Sequence, residues 1–258
     1  MRKTIKLPAP ELSQLKEVNI DLDMTGRHYA QLATSEGQVP EDVAISILKD
    51  LVEEDAGKLT IAEVRYLFML VKINSLENNY EATVSCTHEK KGGKEGEVCG
   101  CLNTVKIRLS DADLNPTPKN YKVPEIEFRT EDSEKTYLVM PPTADMESAL
   151  WNWFLTVKNK KMEDLADDKD VATEYTFLRG AMHLVDKKTG ERLIQELNDF
   201  EPALKLLDCN KFSTVHKLNE YVMEVSQFGV QNKVYDITCK ECGGKLIFRL
   251  PLLNGLFD

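Results

Sequence analysis

Cys239-Lys240-Glu241-Cys242-Gly243-Gly244 lies between two apolar segments, 234–238 and 246–250, that alternate as strands do. Two residues between the cysteines allow both sulfur atoms to reach one tetrahedral ion, and the glycines permit a turn with positive φ. A redox Cys-x-x-Cys motif lies between a strand and a helix, whereas this motif lies between two predicted strands. We therefore interpret the stretch as half of a metal site that needs a second pair of ligands.

The second pair is predicted in the middle of the chain. Segment 81–85 has the pattern of a strand that leads into Cys86. Segment 105–109 alternates again after Cys99 and Gly100, so we expect a hairpin over about 80–109 with cysteines at its tip. The same order of strand, cysteine turn and strand then occurs twice, once here and once at the C-terminal end.

Together the two hairpins predict a split four-cysteine zinc ribbon. The predicted ligands are the cysteines before and within the two turns, Cys86, Cys99, Cys239 and Cys242. Because twelve residues separate Cys86 from Cys99, Cys101 and His88 are alternatives for the first pair. Four protein ligands leave no open position for substrate, so the predicted Zn²⁺ is structural. Cys209 lies in a helical segment and is predicted to be a buried apolar thiol.

Composition and charge exclude several classes of protein. The chain has 258 residues, of which 42% are apolar and 29% charged, and this predicts a globular protein with a sizeable core. Acidic residues outnumber Lys and Arg by 43 to 33, which argues against nucleic acid as the main partner. We find no apolar run of transmembrane length and no apolar segment after the basic N-terminus, and so expect no membrane span and no signal peptide. Six cysteines without an export signal indicate an intracellular location.

Helical and strand patterns alternate along the chain and predict the α+β class. The strongest signal is a capping box at Thr60 and Glu63, followed by an apolar stripe to Val71. A further helix is predicted over 40–51, with its end marked by Gly57. Other helices are predicted over 149–157, 175–184, 201–207 and 214–228, and the last is predicted to close at Gly229. Further strands are predicted over 3–7, 126–128 and 137–140.

These elements divide the chain into three regions. Region 1–142 is predicted to be α+β and to carry the first half-site. Region 143–230 is predicted to be a mainly helical lobe, and region 231–258 to supply the C-terminal strands and the second half-site, packed on the first region. Since two distant regions share one metal site, we expect a single cooperative unit with two lobes.

Motifs of catalysis are missing from the sequence. There is no phosphate-binding Gly-x-x-x-x-Gly-Lys loop, no Gly-x-Ser-x-Gly and no His-Glu-x-x-His. His183 and His216 lie in helical segments and are interpreted as structural, and the acidic run 163–170 as a solvated connector. We predict no catalytic or cofactor-binding residue and therefore no enzyme. The aromatic residues Trp151, Trp153 and Phe154 fit a core more than a partner anchor.

The order of features over most of the chain resembles the T-even-type bacteriophage baseplate hub assembly chaperone family. The features that carry the resemblance are the helix over 59–67, Asn74-Ser75, Tyr80, Asn103, Val105, Tyr121-Lys122-Val123-Pro124, Met140-Pro141, Gly229, the Cys-x-x-Cys-Gly turn, Leu250-Pro251-Leu252 and Leu256-Phe257. The family has Cys-x-x-Cys-Gly at both tips, and this chain departs by the insertion after Cys86.

The resemblance implies a non-enzymatic role in building the hub of a contractile tail. The implied partners are other baseplate hub or tail proteins, and the implied locations are the host cytoplasm during assembly and the tail baseplate of the virion. The apolar C-terminal segment 250–257 is either a docking tail or part of the core. Oligomeric state and the particular hub partner are not predicted.

Two other functions remain as alternatives. A zinc-ribbon protein of nucleic-acid transactions needs basic residues near the tips, and the sequence offers Lys90, Lys91, Lys94, Lys106 and Arg108. Glu89, Glu95 and Glu97 offset this cluster. An enzyme with an unrecognised site needs a polar pocket whose groups have shifted pKa values.

Overall fold

The computed structural model of the chain describes residues 2–34, 40–75, 78–90, 92–94, 96–111, 114–130, 133–160, 164–230 and 234–249. These residues form small antiparallel sheets and helices, which confirms the predicted α+β class. The strands are β1 Arg2–Lys6, β2 Glu17–Asp21, β3 Asn79–Ser85, β4 Leu102–Arg108, β5 Leu114–Asn115, β6 Glu125–Arg129, β7 Glu134–Val139, β8 Leu184–Asp186, β9 Gly229–Val230, β10 Val234–Thr238 and β11 Lys245–Arg249. The helices are α1 Gly26–Ala33, α2 Pro40–Leu51, α3 Ile61–Ser75, α4 Ala144–Thr156, α5 Asp164–Asp167, α6 Lys169–Ala181, α7 Phe200–Cys209 and α8 Phe212–Val225.

Helix α3 begins at the predicted capping box. The Glu63 carboxylate accepts the backbone N–H of Thr60 at 2.8 Å, and the Thr60 hydroxyl accepts the N–H of Glu63. Burial raises the pKa of Glu63, and the hydrogen bond from Ser13 acts in the opposite direction. The apolar face of α3 packs with α2 and the β1–β2 hairpin around Ile20, Leu48 and other buried residues. Helix α3 and the elements that precede it therefore share one core.

A second core lies around the three-stranded sheet β6-β7-β8. Helices α4, α6, α7 and α8 contribute apolar side chains to it. Trp153 and Phe154 are buried there, with ring centroids 5.1 Å apart in an edge-to-face contact, as the core interpretation predicts. The side chain of Trp151 lies outside the described part of the structure.

Helix α3 also contributes to a third core beneath the cysteine hairpins. Met69 of α3 is buried with Val105, Ile107 and Val230, and half-buried Tyr235 and Phe248 of the C-terminal hairpin pack against this group. The two-residue strand β9 pairs with β5, and its Gly229 has φ +99°. A Cβ atom at Gly229 would lie 2.6 Å from the Cβ of Ala62, so α3 and β9 approach each other closely.

Several predicted helix boundaries are wrong, and two of them are explained by strand pairing. Helix α8 ends at Val225 with Ser226 as its C-cap, because Gly229 pairs in a strand. The helix predicted over 175–184 ends at Ala181, since Leu184 pairs with Val139 of β7. Helix α2 ends at Leu51, before Gly57.

The acidic run is more ordered than a solvated connector. It contains α5, and the Asp168 carboxylate accepts the backbone N–H groups of Asp170 and Val171 to cap α6. Glu163 lies outside the described residues, as do Lys91, Glu95 and the segment 250–257. Within the described ranges, no helix has the length and apolarity needed to cross a membrane.

Candidate metal centre

Two antiparallel hairpins carry the cysteine turns, as predicted. Strands β3 and β4 pair from Asn79 opposite Arg108 to Ser85 opposite Leu102. Strands β10 and β11 pair in the same manner up to Thr238 opposite Lys245. Alternate residues of β4 are buried, so its inner face meets the inner face of the C-terminal hairpin. Both hairpins therefore end at the same place, with their tips beside each other.

The two tips share a Cys-Gly turn with left-handed backbone. Gly100 has φ +64° and Gly243 has φ +72°, conformations that glycine adopts without steric cost. The N–H of Gly100 donates to the carbonyl of Cys86 at 3.0 Å, and the N–H of Gly243 donates to the carbonyl of Cys239 at 2.9 Å. The same hydrogen bond thus closes both turns, although one contains the insertion and the other does not.

The insertion between Cys86 and Cys99 folds back on itself. The N–H of Cys99 donates to the His88 carbonyl at 2.8 Å, and the N–H of Lys90 donates to the Glu97 carbonyl at 2.8 Å. Residues Glu89 and Val98 form an isolated antiparallel bridge between these bonds. Because the ends of the insertion pair with each other, Cys86 and Cys99 are brought as close as the cysteines of a short turn.

The structure places the four predicted thiols together. The sulfur atoms of Cys86, Cys99, Cys239 and Cys242 all lie within 4.8 Å of one another. Two of the separations are 3.5 Å, from Cys86 to Cys242, and 3.8 Å, from Cys99 to Cys239. A tetrahedral site with Zn–S bonds of about 2.3 Å requires sulfur atoms about 3.8 Å apart. The donor set and its spacing therefore fit a tetrahedral, thiolate-binding metal ion.

Backbone N–H groups surround the four sulfur atoms in a repeated pattern. Each sulfur accepts a hydrogen bond from the N–H two residues later, and the four donors are His88, Cys101, Glu241 and Gly244. Such bonds stabilise thiolates, the form of cysteine that binds metal. The pattern indicates that the turns are arranged for sulfur atoms that carry negative charge.

Burial and hydrogen bonding act in opposite directions at this cluster. The N–H groups of Cys242 and then Glu241 lower the pKa of the Cys239 thiol to about 5. Burial raises the pKa of the Cys86 thiol to about 12. One thiolate is thus stabilised by the protein alone, whereas a buried set of four requires a cation to balance its charge.

The alternative ligands lie beside the set of four. His88 is exposed, and its Nδ1 atom lies 3.6 Å from the sulfur of Cys86. Its ring packs on Gly244, where a Cβ atom would lie 2.7 Å from the His88 ring. Cys101 is buried next to the cluster, and its thiol donates weakly to the Leu102 carbonyl at 3.8 Å. Cys209 lies in α7, away from the cluster, and is half-buried rather than buried as predicted.

Asn103 joins the two half-sites and was not recognised as part of the site from the residue pattern. Its buried side chain donates to the Cys101 carbonyl at 3.0 Å and accepts the backbone N–H of Lys240 at 3.0 Å. One side chain therefore holds the first turn and the second turn in a fixed relation. A polar residue at an inward position of an alternating strand is the sequence signal that marks it.

Replacing Asn103 with Ala is expected to lower the free energy of unfolding by about 2 kcal/mol, because the hydrogen bond from the Lys240 N–H and a buried side chain between the two turns are lost. Chemical denaturation of zinc-loaded protein measures the change. Asn78→Ala is the matched control, since Asn78 also bonds to a distant residue, Ser110, but is half-buried and its hydrogen bonds are exposed. Equal and small effects of the two substitutions would contradict the assigned role of Asn103.

Two of the described basic residues near the tips, Lys90 and Lys106, pair with acids. Lys90 lies 2.8 Å from Glu97, and Lys106 lies 2.9 Å from Glu81. These ion pairs reduce the charge that a nucleic-acid phosphate would meet at the hairpins.

The fold and the site define an α+β protein with a four-thiol, zinc-ribbon-like centre built from distant parts of the chain. The sequence pattern of the family described as T4 bacteriophage base plate protein matches residues 16–257, and the chain belongs to that family. The predicted bacteriophage baseplate class is thereby confirmed. A structural or assembly role among other phage tail proteins follows from the family. Comparisons with curated proteins and with solved structures find no match.

Proposed function

We propose that the chain is a zinc-stabilised, non-enzymatic factor that assembles the baseplate hub, or a structural part of that hub. The observation that carries the proposal is the family match over residues 16–257. The hub and chaperone assignment rests on the resemblance stated from the sequence. In this role the protein acts through contacts with other hub or tail proteins, in the host cytoplasm during assembly and, if it is a structural part, at the tail baseplate.

Zinc is the metal that the donor set favours. Four cysteine sulfurs at tetrahedral spacing suit Zn²⁺, whereas Mg²⁺ and Ca²⁺ prefer oxygen ligands. When bound, the ion supplies structural cross-linking, and its four ligands leave no position for substrate. Cys86 and Cys99 would hold it from region 1–142, and Cys239 and Cys242 from region 231–258. The helical lobe 143–230 lies between these regions in the sequence.

The absence of an enzyme activity is part of the proposal. Among the described residues, the four cysteines are the one group of three or more close metal-binding side chains. That group is the closed thiol set, which supports cross-linking rather than catalysis. Buried His183 has a structural role. Its Nδ1 lies 3.1 Å from the Arg179 carbonyl oxygen, and burial lowers the pKa of its side chain to about 4.

Loss of the gene in the phage tests the assembly role. A phage with a stop codon early in this gene should produce no complete baseplate hubs in infected cells. The wild-type chain supplied from a plasmid should restore them. Sedimentation and electron microscopy of tail intermediates measure the outcome. Normal hubs in the absence of the protein would contradict the proposal.

Mass spectrometry of purified virions separates the two forms of the proposal. A structural component should be present in tails at a fixed ratio to the other hub proteins. An assembly factor should be found in intermediates and be absent from finished tails.

A further inference from the structure

A fifth thiol lies against the proposed metal site. Cys101 is 7% exposed and belongs to the same buried cluster as the four predicted ligands. Cys239 belongs to that cluster as well, and the Cys101 thiol donates to the Leu102 carbonyl at 3.8 Å. Cys101 precedes β4, in which Asn103, Val105 and Ile107 point inward, and it continues that inward alternation. The fifth thiol therefore faces the space between the two hairpins rather than solvent.

Cys99 is the most accessible member of the set of four. Cys86, Cys239 and Cys242 are buried, whereas Cys99 is half-buried at the tip. Cys99 and Cys101 flank Gly100, so both thiols belong to one turn. The Cys99 sulfur lies 3.8 Å from that of Cys239, and Cys101 packs in the same cluster. Both thiols of the Gly100 turn therefore belong to the group of side chains around Cys239.

We propose that Cys101 is a reserve ligand that replaces Cys99 when the Cys99 sulfur is lost from the site. In the exchange, the bond from the metal to the Cys99 sulfur breaks and a bond to the Cys101 sulfur forms. The Cys101 thiol proton passes to the released Cys99 thiolate or to water, so the site keeps four thiolates. The inference rests on the proposed zinc binding and adds that the site tolerates loss of Cys99, its most accessible ligand.

Serine substitutions in the full chain test the exchange. Cys99→Ser, Cys101→Ser, the double variant and Cys242→Ser are purified without chelator, and zinc per chain is measured by elemental analysis. Cobalt(II) replaces zinc in a parallel set, because the intensity of sulfur-to-cobalt charge transfer reports the number of bound thiolates. Wild-type metal content is measured first, so that failure of zinc binding itself is distinguished from failure of the exchange.

Cys99→Ser is expected to keep one metal ion, the charge-transfer intensity of four thiolates and an affinity within about 10-fold of wild type. Cys101→Ser should match the wild type. The double variant should show three thiolates and an affinity lower by more than about 100-fold, as should Cys242→Ser, which has no reserve on its turn. If Cys99→Ser shows three thiolates, loses its metal or fails to fold while the wild type binds metal, the exchange is wrong.

Discussion

The Cys242→Ser variant, whose three remaining thiolates bind the ion more weakly, is expected to lose its zinc during purification and to unfold at a markedly lower temperature than the wild type. The sulfur of Cys242 lies 3.5 Å from that of Cys86, so the substitution removes a contact between the two hairpin tips as well as a ligand. Zinc binding by small cysteine-rich peptides contributes about 10–16 kcal/mol near neutral pH. Since most of the buried apolar residues lie outside the thiol cluster, we expect the free energy of unfolding to fall by only part of this amount, about 5 kcal/mol. Elemental analysis and thermal unfolding followed by circular dichroism measure both effects.

The matched control for this experiment is Cys209→Ser. Cys209 is a half-buried cysteine of α7 that lies outside the thiol cluster. The Cys209→Ser variant should retain one zinc per chain and unfold close to the wild-type temperature. Removal of zinc from the wild type with a chelator should reproduce the Cys242→Ser result. A wild-type protein that is well folded without metal, and is unaffected by the substitution, would show that the cysteines are ordinary thiols.

Gly229→Ala is expected to destabilise the protein by about 3 kcal/mol, because the added Cβ atom causes both backbone strain and a steric clash. The backbone at Gly229 has φ +99°, which a residue with a Cβ atom adopts only with strain. The new Cβ would also lie 2.6 Å from the Cβ of Ala62, which is attached directly to helix α3 and cannot rotate away. Chemical denaturation of the zinc-loaded variant measures the loss.

Gly190→Ala isolates the contribution of the backbone. Gly190 also has a positive φ, +74°, but a Cβ atom there would meet nothing within 4 Å. Its cost should be about 1 kcal/mol, that of the strained backbone alone. If Gly190→Ala and Gly229→Ala destabilise the protein equally, the close approach of α3 and β9 contributes nothing.

Local patterns were sufficient to predict much of this fold. The capping box at Thr60, the alternation of β4 and the Cys-Gly turns each depend on neighbouring residues, and each is found where expected. The set of four cysteines was also predictable, because two half-sites with the same order of elements imply a common partner. The placement of their sulfur atoms within 4.8 Å is the result of that symmetry.

Pairing between distant segments limited the prediction elsewhere. Strands β5, β8 and β9 have two or three residues each and exist because a distant strand pairs with them. Such short segments carry no periodicity of their own. Asn103 likewise gains its role from Lys240, which lies in the other hairpin. The paired ends of the insertion were hidden for a related reason, since its sequence is rich in glycine and charge.

The self-paired insertion separates two properties that are usually linked in a zinc ribbon. The distance along the sequence between Cys86 and Cys99 no longer sets the distance between their sulfur atoms, because the backbone bonds at His88 and Lys90 close the segment at its base. The segment between Lys90 and Glu97 can therefore become longer, shorter or differently charged without a change in the ligand geometry. This far end of the insertion is thus a place where the surface of the protein is free to diverge, and where a peptide tag can be introduced, while the metal centre stays the same.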